Sequence, residues 1–179
     1  MIDYMTCLSS CFSTTFAVCT GDPNVYNNIV WVDGDPLPDQ ATMDASRFSA
    51  LQNSAISALS DICANIITSG FISSALGTPH LYDSEDVDQI NLIGATTTTA
   101  PSMVDPNGTA MYYAVREIVN GVTLPKNYTL HTYDQFRQIM TDGANYKLAL
   151  LMNFNIKRYY ISIATTPEQV EAITWSSNP

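Results

Sequence analysis

Phe48, Leu51, Ala55, Leu59, Ile62 and Ile66 recur at spacings of three and four residues. That rhythm places all six on one side of an α-helix, and it constrains the chain more than any other feature. It predicts a helix from about Thr42 to Thr68, opened by Thr42 or Asp44 as a cap and closed by Gly70. Ser and Asn line much of the other side, with few charges. One apolar stripe needs one partner: another helix, a sheet, or a second copy of the same helix.

A second long helix is expected from "LHTYDQFRQIM" onward, running to about Ala164. Thr132 is its capping candidate, with Gln135 three residues on as in a capping box. Phe136, Met140, Leu150, Leu151, Phe154 and Ile161 supply its apolar surface. Gly143 weakens it at one point, since glycine is a poor helix former. Thr166 and Pro167 open a last short helix. Short strands are expected at Ile29 to Val32, on either side of the turn at Gly77 and Pro79, and around the Asn120-Gly121 turn. The Thr run, the prolines and Asn-Gly make 96–109 a loop, and this loop and Pro125 are the least ordered candidates. The expected fold is α+β: two long helices, short β-hairpin elements, and a small N-terminal module. Residues 1–40 read as that attachment module and 41–179 as a helix-rich α+β domain.

Charge narrows the function. Of 179 residues 13% are charged, about half the usual fraction, so little desolvation opposes contact with neighbours. Residues 1–115 hold one base, Arg47, against twelve acids, a net −11; residues 116–179 hold six bases against five acids, a net +1. Such an acidic chain repels phosphate, which argues against nucleic acid. The contrast between the two parts would steer head-to-tail contacts. No segment approaches the roughly 18–20 apolar residues of a membrane span, so no membrane is expected. The N-terminal stretch lacks a base before Arg47, so it is not read as a signal peptide. Cys7, Cys11, Cys19 and Cys63 are then expected to be reduced and buried thiols, without a metal.

Residues 70–95, "GFISSALGTPHLYDSEDVDQINLIGA", pack polar side chains between apolar ends. The acids have a structural explanation. Asp83 or Ser84 caps a helix, and Glu85, Asp86 and Asp88 meet the positive end of its dipole. A calcium loop would want a central Gly that "DSEDVDQIN" lacks. No nucleophile elbow, phosphate loop or metalloprotease motif occurs, and neither His80 nor His131 lies in a His-rich motif. No catalytic, cofactor-binding or metal-binding residue is expected, and no cofactor. His80, Tyr82, Gln89 and Asn91 instead hydrogen-bond across a compact corner shaped by Gly77 and Pro79. Asn107 and Asn127 match glycosylation sequons without an export signal to support them.

Three stretches carry a resemblance. Phe71, Ser73, Ala75, Leu76, Gly77, His80, Tyr82 and Ser84, followed by Asp88, Gln89, Asn91 and Leu92, resemble a recurring phrase of bacteriophage tail proteins. Gln135 and Phe136, then Ala164, Thr165, Thr166, Ile173 and Trp175, are similar to the closing region of the same family. "IVWVDGDPLPDQATMD" looks like the leading segment of some tail and baseplate proteins. The resemblance implies a structural component of the virion tail, at the baseplate or fibre attachment region, assembled in the host cytoplasm and not an enzyme. Its partners would be other tail, baseplate or fibre proteins and further copies of itself, making a homo-oligomer. The alternatives are a tail-fibre assembly chaperone, or a receptor-binding tip that stacks Tyr112, Tyr113 and Tyr159 on glycan.

Overall fold

The computed structural model describes residues 2–97 and 110–176. The fold is mixed α+β, as the sequence implies. It gathers into two compact units, one of Met1–Ser60 with Asn155–Pro179 and one of Asp61–Phe154.

In the first unit, helix α1 (Tyr4–Cys11) leads into a two-stranded antiparallel ribbon of β1 (Thr15–Cys19) and β2 (Ile29–Gly34). Neither α1 nor β1 was expected. Asp3 caps α1 by accepting the Thr6 N–H at 2.8 Å. Tyr4, Cys7, Leu8, Ile29 and Met43 form the core of this unit. The long helix α2 spans Gln40–Thr68. Its cap is neither Thr42 nor Asp44 but Asp39, whose Oδ1 accepts the Thr42 N–H at 2.7 Å. This starts the helix earlier and frees Asp44 to bond Tyr4. Arg47, read above as the lone base of an acidic half, is a core residue. Its guanidinium lies 3.9 Å over the Tyr4 ring and its Nε donates to Ile2 O at 2.7 Å. The predicted stripe is largely covered within the chain: Leu59 is buried and Phe48, Leu51, Ala55 and Ile66 half-buried, while Ile62 stays exposed. The last part of α4 (Tyr133–Ile163) and α5 (Pro167–Glu171) complete the unit. Gln52 Nε2 donates to Ile161 O at 2.8 Å. Thr166 caps α5 through a full capping box with Gln169.

The second unit is built on a five-stranded sheet. β3 (Phe71–Ser73) and β4 (His80–Tyr82) form the expected hairpin. α3 (Asp86–Thr97) follows, and its last two residues are the first two of the expected 96–109 loop; the rest of that loop, with Asn107, lies outside the described residues. β5 (Ala110–Val119) is the long central strand. Asn120 and Gly121, with φ of 51° and 78°, turn it into β6 (Val122–Thr123) as the Asn-Gly signal demands. Strand β7 (Asn127–Thr132) then pairs with β5 and was not expected. Its outward residues are Tyr128 and Leu130 and its inward ones Thr129 and His131, the reverse of an apolar-inward pattern. α4 begins where predicted: Thr132 N–H donates to Gln135 Oε1 at 2.8 Å, and Gln135 N–H returns to Thr132 Oγ1 at 3.3 Å. Phe71, Tyr82, Met111, Tyr113, Val115, Phe136 and Ile139 form the core of this unit.

Candidate functional site

The corner from Gly70 to Gln89 gathers the polar residues singled out in the sequence, and many of them bond within the corner or to neighbouring elements. Gly77 has φ of +92° and its N–H donates to Ser74 O at 2.8 Å, so the turn uses a backbone state that suits glycine. Helix α3 starts at Asp86, so Ser84 lies too early to be its first cap. Asp88 does the capping from within, accepting the Glu85 N–H at 3.2 Å. Asp83 has a different role from the helix cap expected of it. It receives Arg116 Nη1 at 2.7 Å and Lys126 Nζ at 2.6 Å, joining the end of β4 to β5 and to the segment before β7. Asp83 holds the Lys126 ammonium above its ordinary pKa through that hydrogen bond. Gln89 Nε2 donates to Ser84 O at 2.9 Å, and Lys147 Nζ donates to Gln89 Oε1 at 3.0 Å. His80 Nδ1 meets Thr78 O at 2.7 Å, while Asn91 is exposed.

Beneath the corner, His131 and Tyr82 are sealed in the core. His131 Nδ1 lies 2.8 Å from Thr129 O, which can only accept, so Nδ1 carries the proton. Nε2 is then left to accept the Tyr82 O–H at 2.9 Å. Burial lowers the His131 pKa and raises that of Tyr82, while burial and then Asp88 push Tyr113 up to about 12. The set is therefore neutral near pH 7 and has no solvent access through His131, which is 0% exposed. Tyr113, proposed above as a stacking platform, is a core residue packed edge-on to Phe136. Tyr112 and Tyr159 are exposed, and they belong to different units.

Two recesses flank the corner. One, of about 230 Å³, is lined mainly by Ile67, Phe71, Leu92, Met140 and Tyr146, with the Gln89–Lys147 bond alongside. The other is open and polar. In it Ser73 Oγ donates to Asp142 Oδ2 at 2.6 Å and Gln138 Nε2 to Oδ1 at 2.6 Å, so both carboxylate oxygens are engaged; His80 is the cross-strand partner of Ser73, and its Nδ1 is taken up by Thr78 O. Among the described residues no three His, Cys, Asp or Glu side chains converge as a metal site. Cys7 and Cys63 are buried, and burial pushes the Cys7 thiol up to about 11; Cys11, expected to be buried, is exposed. Asn127 is exposed and its own side chain accepts the Tyr128 N–H.

What the chain does present is apolar surface, which its residue spacing did not reveal. β1 and β2 expose Phe16, Val18, Val30, Trp31 and Val32; α3 exposes Val87, Ile90 and Ile93; β5 and β7 expose the cross-strand pair Tyr112 and Leu130. α4 exposes Ile156, Tyr159 and Ile163 toward its end. Exposed apolar groups mark interaction surfaces where they join into a large contiguous patch. No described helix is long and apolar enough to cross a membrane. No family model, curated protein or solved structure matches this chain.

Proposed function

We propose that the chain is a structural, non-catalytic subunit of a bacteriophage tail, held at the baseplate or fibre attachment region by protein–protein contacts. The observation that carries this reading is the pairing of two features. The Phe71–Leu92 and His131–Trp175 stretches resemble tail proteins, and their polar residues are engaged in structural bonds: Asp83 with Arg116 and Lys126, Tyr82 with His131, Thr132 with Gln135. The exposed apolar groups on α3, α4 and both sheets add support, since a subunit must bury surface against its neighbours. On this reading the protein is assembled in the host cytoplasm and stays in the particle.

Mass spectrometry of purified particles tests it. The chain should be present in fixed proportion to the other tail proteins, and a density map should place it at the distal tail. A chain found only in the soluble lysate would overturn the structural reading in favour of a fibre-assembly chaperone.

A further inference from the structure

We propose that the apolar recess lined by α3 and α4 is a binding site for a small carboxylate with a short apolar chain: the recess takes the chain and Lys147 takes the carboxylate. The claim concerns the chain itself and does not rest on the tail assignment. Purified protein reports on it whatever particle contains it.

The recess lies wholly within the second unit. Ile67 from the end of α2, Phe71 from β3, Leu92 from α3, and Met140 and Tyr146 from α4 wall it. Its volume is about 230 Å³. That is below the roughly 300–1,000 Å³ of sites for drug-sized molecules, so the guest is small. It equals the liquid volume of about eight waters, and hexanoate, with about eight non-hydrogen atoms, is of that size. Water inside has mostly apolar walls and few bonding partners, so an apolar guest displaces it readily.

The polar part of the lining is ordered. Gln89 Nε2 donates to Ser84 O at 2.9 Å, which fixes the amide and turns its Oε1 toward Lys147. Lys147 Nζ donates to that Oε1 at 3.0 Å, so the ammonium is held beside the recess by a bond from α4 to α3. An ammonium has three donors, and a neutral amide oxygen answers only one of them. Among the described residues Lys147 stands in no ion pair. The acids nearest in sequence on these two helices are committed elsewhere. Asp142 accepts from Ser73 and Gln138, and Asp88 accepts the Glu85 N–H and lies 3.9 Å from Lys126.

An apolar recess with a positioned cation beside it selects the ligand class. A purely apolar guest would leave the ammonium without a counter-charge, and a bare anion would leave the recess unfilled. The chain carries a net charge of −10, which repels anions in general, so a site for one must join a local cation to apolar burial. One ammonium matches the single charge of a carboxylate. A bound carboxylate would meet the two donors of Lys147 that Gln89 leaves over, in a charge-assisted bond.

Amide NMR of the whole chain, titrated with hexanoate, hexanamide and acetate at constant ionic strength, tests this. Hexanoate should bind saturably with a Kd of about 1 mM or tighter, within the per-atom affinity small ligands reach. Its largest shifts should fall at Leu92, Gly143 and Tyr146. Hexanamide, which keeps the chain and loses the charge, should bind about two- to fivefold more weakly. Acetate, which keeps the charge and loses the chain, should not saturate at about 10 mM. Lys147→Met should remove the preference for hexanoate and leave hexanamide binding unchanged, and Lys147→Arg should retain the preference. Ala144→Leu adds an isopropyl group to the lining at an exposed helix position that suits leucine, and should abolish binding of both. The spectra themselves report whether each variant folds. No saturable shift with hexanoate overturns the proposal. So do equal affinities for hexanoate and hexanamide, acetate binding as tightly as hexanoate, or hexanoate binding that survives Ala144→Leu unchanged.

Discussion

The Phe71 ring lies across the bare Cα of Gly143: a Cβ built there would stand 2.8 Å from the ring's Cζ. A glycine in mid-helix is thus matched to an aromatic in the second unit's core. Alanine at 143 would gain about 1 kcal/mol of helix propensity, but displacing a packed ring costs about 1–3 kcal/mol. Gly143→Ala should therefore lower stability by about 1 kcal/mol. Phe71→Leu/Gly143→Ala should be more stable than the two single effects sum to. Urea unfolding of the four proteins checks this, and a stabilised Gly143→Ala would refute the packing account.

His131 gives stability a pH dependence of known sign. Its pKa is lowered from 6.5 in the fold, so the unfolded chain takes up a proton that the folded one resists. The contribution of the neutral imidazole is complete above pH 6.5. It is lost as pH falls from there toward the lowered folded value, at no more than about 1.4 kcal/mol per pH unit. His131→Gln should flatten this part of the curve in denaturant titrations. Tyr82→Phe removes the donor to a buried Nε2 and should cost about 1–3 kcal/mol at neutral pH.

Gly70 and Gly77 separate strain from collision. Both have positive φ, but a Cβ at Gly77 meets nothing within 4 Å, whereas at Gly70 it would stand 2.7 Å from Tyr82 O. Gly77→Ala should cost about 1–2 kcal/mol of backbone strain alone. Gly70→Ala should cost clearly more, because it also forces β4 away. Equal losses in chemical denaturation would contradict the close approach at Gly70.

Asp83 should contribute modestly. Its partners Arg116 and Lys126 are 34% and 40% exposed, so water screens both pairs. Asp83→Asn should cost about 1 kcal/mol or less. In a double-mutant cycle with Lys126→Met the coupling should shrink as salt rises. A salt-independent coupling would mean that the pair is better shielded than its exposure implies.

Elements defined by near neighbours were legible in the chain. The existence of both long helices, the Thr132–Gln135 box, the Thr166-Pro167 helix start, the β3–β4 hairpin and the Asn120-Gly121 turn each follow from residues a few positions apart. β7 was not legible, because its inward residues are Thr129 and His131 and its apolar ones face out. The burial that makes this workable comes from Tyr82, 49 residues away. Asp83 likewise looked like a helix-start acid until the fold brought Arg116, 33 residues on, to it.

The sequence by itself determined that the two long helices form, where α4 begins and where the backbone must turn, because periodicity, capping and positive-φ glycines act within a turn or two of chain. Only the tertiary structure decided which apolar residues are covered. Leu59 and Tyr113 vanish into cores while Phe16, Val18, Ile156 and Tyr159 stay in water. Covering an apolar side chain takes partners distant in sequence, and spacing along the chain does not say which residues will find them.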